Sequence, residues 1–149
     1  MISPNPWNSY RQVATQTATP GQLILMLYEG AIRDLERALL GFELSDPAEF
    51  NQTVNNNILK AQQILHALTA SLNMQQGGDL ALHLHGLYDY MNRRLFESNL
   101  KKSQDGIKEV IGHLNVLRDA WSRMLQGETV PPGEPEPNAP LCASYPGSR

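Results

Sequence analysis

Four things are scarce in this 149-residue chain: cysteine, positive charge, long apolar runs and strand-like alternation. The single cysteine, Cys142, excludes a disulfide within one chain, which fits a reducing compartment. The 12 lysines and arginines are outnumbered by 15 aspartates and glutamates, giving a net charge of −3. Three of those acids, Glu128, Glu134 and Glu136, sit in the last stretch with only Arg149 for company, so the remainder is close to neutral. Nucleic-acid binding needs a concentrated basic face, and none is present. The densest basic group, Arg93 and Arg94 with Lys101 and Lys102, reads as a solvated helix end. The longest apolar run, LILMLY at residues 23–28, is far too short to span a bilayer. The opening MISPNPWNSY lacks the basic start and apolar run of a secretory signal. A soluble intracellular protein is expected, without membrane insertion.

Constellations that carry chemistry are scarce too. Di-metal helical bundles place a His three residues after a Glu, and no Glu here has His at that offset. His83 and His85 are two positions apart, a rotation of about 200° on a helix, so both cannot face one ion. They read as surface histidines. His66 and His113 are the candidates for a phosphotransfer bundle, but no cluster of lysines and small residues surrounds either. No glycine-flanked serine elbow occurs, and Gly77–Gly78 is a loop break rather than a phosphate cradle. The chain is therefore read as a non-enzyme with no cofactor, no metal and no catalytic residue.

What is present is helical periodicity. Four segments carry apolar residues at steps of three and four. The first opens at Thr19–Pro20, an N-cap followed by proline, and runs to about Leu40. The second opens at SDPAEF and continues through Val54, Ile58, Ala61, Leu65, Leu68 and Leu72. The third is capped by Asp79 and carries Leu80, Leu84, Leu87, Met91 and Leu95, ending near Asn99. The fourth opens at Ser103 or Asp105, carries Ile107, Val110, Ile111, Leu114, Leu117, Trp121 and Leu125, and stops at Gly127. Short connections favour antiparallel neighbours, so the expected fold is all-α, an antiparallel up-down four-helix bundle over residues 19–127. Residues 1–18 form an N-terminal capping segment in which Trp7, Tyr10 and Val13 recur at steps of three, as on a short helix that docks on something. Residues 128–149 hold six of the ten prolines and predict a disordered tail.

Each helix also carries apolar residues off its core face. At about 100° per residue, most of LILMLY belongs to a broad core stripe, while Leu25 lies at its edge and Met26 almost opposite. Leu59 falls on the far side of the second helix, Leu82 and Phe96 off the core face of the third with Tyr90 on its flank, and Val116 points away on the fourth. Single exposed apolar residues need no explanation. Spread over every helix, they suit a long groove for an amphipathic partner segment. Packing under the head segment, or against a second copy in a homodimer, would use the same residues.

Three segments in order, TATPGQLILMLYEGAI, SLNMQQGGDLALHLHGLYDYMNRRLFESN and LRDAW, resemble the flagellar secretion chaperones for flagellin, the FliS family. The resemblance spans about residues 7–125 and leaves the tail outside. Thr19 stands where the family commonly has Ser, and Glu29 where Asp is usual. Membership implies a cytosolic bundle that binds the C-terminal segment of flagellin, which wraps the surface as short helices and extended stretches. It also implies protection from premature polymerisation and delivery to the export gate of the flagellar type III apparatus. The N-terminal segment, matched here by Trp7, Tyr10 and Val13, would lie over part of the groove and take part in docking at the export gate. A homo-oligomeric helical module and a histidine phosphotransfer bundle are the competing expectations.

Because the four periodic segments lie beyond it, deleting residues 1–15 should leave the helical circular dichroism signal intact. Collapse of that signal would show that the head is part of the core.

Overall fold

The computed structural model describes residues 19–73 and 77–127. The head with Trp7, Tyr10 and Val13, and the proline-rich tail with Cys142, lie outside the described residues. The chain forms four helices, α1 (Pro20–Gly41), α2 (Pro47–Ala70), α3 (Gly78–Lys101) and α4 (Asp105–Leu125), and no strand occurs among the described residues.

Each helix starts and stops for a local reason. At α1, Thr19 accepts from the Gln22 amide while the Gln22 side chain accepts from the Thr19 amide, a reciprocal capping box with Pro20 in the first turn. At α2, Asp46 accepts from the Glu49 amide at 2.9 Å, again ahead of a proline. The next start differs from the sequence expectation. Gly77, not Asp79, is the N-cap of α3, and Asp79 lies inside the first turn, where its charge complements the helix dipole. Gln104 is the N-cap of α4, with Ser103 Oγ accepting from the Asp105 amide. α3 ends on Lys102 in the left-handed region (φ 51°), its ammonium bonded to the Asn99 carbonyl and side chain.

The helices pack as a ring. α1 touches α2 and α4, α3 touches α2 and α4, and the diagonal pairs have no close backbone approach. Antiparallel register is fixed by cross-helix bonds. Asn99 donates to Asn55 at 2.8 Å and the Gln62 side chain to the Asn92 carbonyl at 3.2 Å, so α3 descends by seven residues as α2 rises by seven. Phe42 and Phe50 close the α1–α2 turn edge to face, with centroids 5.2 Å apart. At the α3–α4 turn Gly106 is buried where a Cβ would collide with the Ser98 hydroxyl, so only glycine lets the two helices approach this closely.

The core holds Leu27, Ala31, Leu35 and Ala38 of α1, Val54, Ile58, Ala61, Leu65 and Leu68 of α2, and Ile107, Val110 and Leu114 of α4, all fully buried. On α3 the buried face is Ala81, Leu84, Tyr88, Met91 and Leu95, with Leu80 and Leu87 only half-buried. The face is turned toward Tyr88 because its ring reaches the bundle axis. There Tyr28 of α1 and Tyr88 share a hydrogen bond of 2.6 Å between hydroxyls, spanning the diagonal. Both rings are at most 2% exposed.

A polar cluster ties α3 to α4. Glu109 accepts from the Tyr90 hydroxyl at 2.5 Å and from Arg94 Nε at 2.8 Å, with His113 Nε2 at 3.4 Å. The Tyr90 and Arg94 bonds hold the Glu109 carboxyl down, at about 2. Its side chain is 34% exposed, so solvent screens the cluster and its contribution to stability is small. A depressed carboxylate stabilises fully above its ordinary value of 4.5, and that contribution disappears as pH falls through about 2. Glu109→Gln should therefore lower the urea midpoint slightly at pH 7, with most of that gap gone by pH 2. A gap undiminished at pH 2 would contradict an electrostatic origin.

Candidate partner-binding site

Among the described residues, one end of the bundle is open. The starts of α1 and α3 and the ends of α2 and α4 meet there, and both Thr19 and Gly127 lie at that end. Between them is a cleft of about 340 Å³ lined chiefly by apolar side chains. Ile24, Leu72, Leu84 and Trp121 form its walls. Its floor is set by Tyr28 and Tyr88, the lining residues farthest along α1 and α3 from the open end.

The walls are held by specific contacts. Trp121 Nε1 donates to the Gly21 carbonyl at 2.7 Å, linking the end of α4 to the start of α1 across the mouth. A Cβ on Gly21 would lie 2.6 Å from Leu125 Cδ2, the tip of a side chain that can turn aside. Ser71 also lines the cleft, and its hydroxyl donates to the Leu68 carbonyl at 2.7 Å. Burial raises both floor phenols: Tyr28 is pushed up to about 12, with its bond to Tyr88 opposing, and Tyr88 is raised by burial and by Tyr28 beside it. Each therefore remains a neutral hydroxyl at any physiological pH.

A second apolar feature runs along the outside of α3. Leu82, Phe96 and Leu100 are 59%, 59% and 70% exposed, and at 100° per residue they lie within about 40° of one another. The Asp89–Arg93 ion pair, 3.3 Å long, sits between them. Val116 on α4 and Leu59 on α2 are likewise exposed, at 68% and 45%.

The residues singled out from sequence thus separate into groups. Leu59, Leu82, Phe96 and Val116 are exposed. Leu25 and Met26 are half-buried, so Met26 is less open than its angle on an isolated helix implies. Tyr90 is half-buried and its hydroxyl is committed to Glu109. Trp7, Tyr10 and Val13 lie outside the described residues.

Sequence reasoning missed the cleft itself, together with the exposed Leu40, Leu44 and Leu100. Periodicity gives direction around a helix but not depth along it, so residues at an open end look the same as residues in the packed middle. The available signal was the crowding of large apolar residues, LILMLY and Trp121, at helix termini.

For chemistry other than binding the site offers little. Among the described residues, no group of three His, Cys, Asp or Glu is placed to hold a metal, and no helix is long and apolar enough to cross a membrane. His66, His83 and His85 are exposed, and His113 lies against Glu109. The buried Asp34 on α1 has its carboxyl raised by burial, opposed by Lys60, Arg37 and Arg33.

The family model described as flagellar protein FliS matches residues 3–128. The flagellar secretion chaperone FliS of Bacillus subtilis (strain 168) is 37% identical over 128 residues, covering 86% of this chain and 92% of that protein. The FliS of Salmonella typhimurium is 38% identical over 121 residues, covering 78% and 87%. That of Campylobacter jejuni is 32% identical over 124 residues, covering 83% and 94%. A match along nearly the whole bundle, at this identity, identifies the chain as a member of the FliS family of flagellar secretion chaperones, a family of chaperones and not of enzymes.

Proposed function

We propose that this chain binds the C-terminal segment of flagellin in the bacterial cytosol, keeps it from polymerising before export, and assists its delivery to the flagellar type III export apparatus. The observation that carries the proposal is the apolar cleft at the open end of the bundle together with the exposed stripe on α3. A segment long enough to lie in the cleft and continue over α3 would cover both.

Magnitudes favour using both features. Leu59, Leu82, Phe96 and Val116 are each about half to two-thirds exposed already, so covering them yields about 1 kcal/mol apiece, or roughly 4 in all. Ordering a disordered segment costs about 2–5 kcal/mol, and micromolar affinity requires about 8. The outer residues alone fall short. Filling the cleft with two or three apolar side chains adds roughly 3–9 kcal/mol, so the cleft is the larger of the two contributions. No covalent step is needed: binding hides the surfaces by which flagellin segments would otherwise associate, and release follows when the export machinery takes the segment.

The same exposed residues would also serve self-association, which is the second reading. Calorimetric titration with a peptide from the cognate flagellin C-terminus separates the two. Leu82→Gln, Phe96→Gln and Val116→Thr should each weaken peptide binding about three- to tenfold with unchanged circular dichroism. Sedimentation should show a peptide-bound monomer. Parent-like affinity in all three variants would remove the outer stripe from the account. A dimer that persists at saturating peptide would favour the second reading.

A further inference from the structure

Among the described residues, the tyrosine pair beneath the cleft has one donor more than it uses. Each phenol carries one hydrogen that it must donate and lone pairs that accept. Tyr28 and Tyr88 are bonded to each other at 2.6 Å, and only one hydrogen can lie between two oxygens. The second hydroxyl hydrogen has no recorded partner among the described residues, although both rings are at least 98% buried. An unpaired buried donor is costly.

We infer that the segment docked in the cleft brings a main-chain carbonyl oxygen to the Tyr28–Tyr88 pair, so that the two phenols and the partner form one chain of hydrogen bonds. This rests on the proposed partner segment and specifies what it must carry. The acceptor is neutral, because no cationic side chain lines the cleft to compensate a carboxylate. It comes from non-helical backbone or from a helix end. Inside a helix the carbonyls are already bonded, and a cavity of about 340 Å³ does not admit a helix with side chains about 10–12 Å across. The cleft therefore takes an extended stretch with apolar side chains on either side of one free carbonyl, and the phenol pair sets the register in which that stretch binds.

The test uses the full-length protein and a tyrosine-free peptide from the C-terminal segment of cognate flagellin. Tyr28→Phe and Tyr88→Phe each delete one oxygen and preserve ring packing. At least one should weaken binding about tenfold, the worth of one charge-neutral hydrogen bond, and the double variant should bind no worse than twofold below the weaker single, because the phenols act as one chain. In the parent, peptide addition should shift the tyrosine absorption band to the red as the free hydroxyl becomes a donor. This spectral reading stands even where a variant fails to fold. All three variants binding within twofold of the parent overturns the inference and leaves the proposed function standing. So does weakened binding without the spectral change, which would assign the phenols to packing alone. A blue shift on deleting residues 1–15 from the free protein would assign the acceptor to the chain's own head and overturn the assignment to the partner. No peptide binding by the parent overturns the proposed function and this inference together.

Discussion

The hydrogen bond between Tyr28 and Tyr88 is the interaction on which the rest of the architecture turns. In a ring of four helices the diagonal pair α1 and α3 has no close backbone approach, and something must fill the axis between them. Along most of the bundle aliphatic residues such as Leu35, Ile58, Leu65 and Leu114 do so by close packing. At the level of the tyrosines two rings meet end to end with their hydroxyls in contact, and their length holds the diagonal apart. Beyond that level, toward the helix termini, apolar residues line a space rather than fill it. The packed core and the open cleft are two sides of the same pair.

Polarity is concentrated where it fixes the register of the helices. The α2–α3 register is set by amides, Asn55 with Asn99 and Gln62 with the Asn92 carbonyl, and the α3–α4 register by the Glu109 cluster. Both lie away from the cleft, so occupying the cleft disturbs neither. Gly106 acts in the same direction: it allows α3 and α4 to close at one end of the bundle, while at the other Trp121 bridges the mouth from α4 to α1.

Much of this was legible in the sequence. Thr19–Pro20 and Asp46–Pro47 announce their helices because cap and proline act locally, within one turn. The number of helices, their order and their antiparallel packing follow from periodicity and short connections. Asp79 and Ser103 were weaker guides, because at a glycine-rich or tight turn the backbone, not a side-chain cap, decides where the helix begins. Leu59, Leu82, Phe96 and Val116 were identifiable as outward-facing because angle on a helix is a local quantity. The cleft was not, since it depends on where four helix ends stop relative to one another. The Tyr28–Tyr88 contact joins residues 60 positions apart, which no local pattern reports, and Leu87 was the more natural choice for the core than its neighbour Tyr88.

The chain is a member of the FliS family, and its bundle carries an apolar cleft at one end and an exposed apolar stripe along α3. The central claim is that these two features are where the secretion partner lies. Hydrogen-exchange mass spectrometry of the full-length protein, free and saturated with cognate flagellin, tests it most directly. The account predicts slowed exchange in Pro20–Tyr28, in Leu80–Tyr88 and at the Trp121 end of α4, with little change at the α1–α2 turn around Phe42–Phe50. Unchanged exchange around the cleft, with protection confined to that turn, would contradict it.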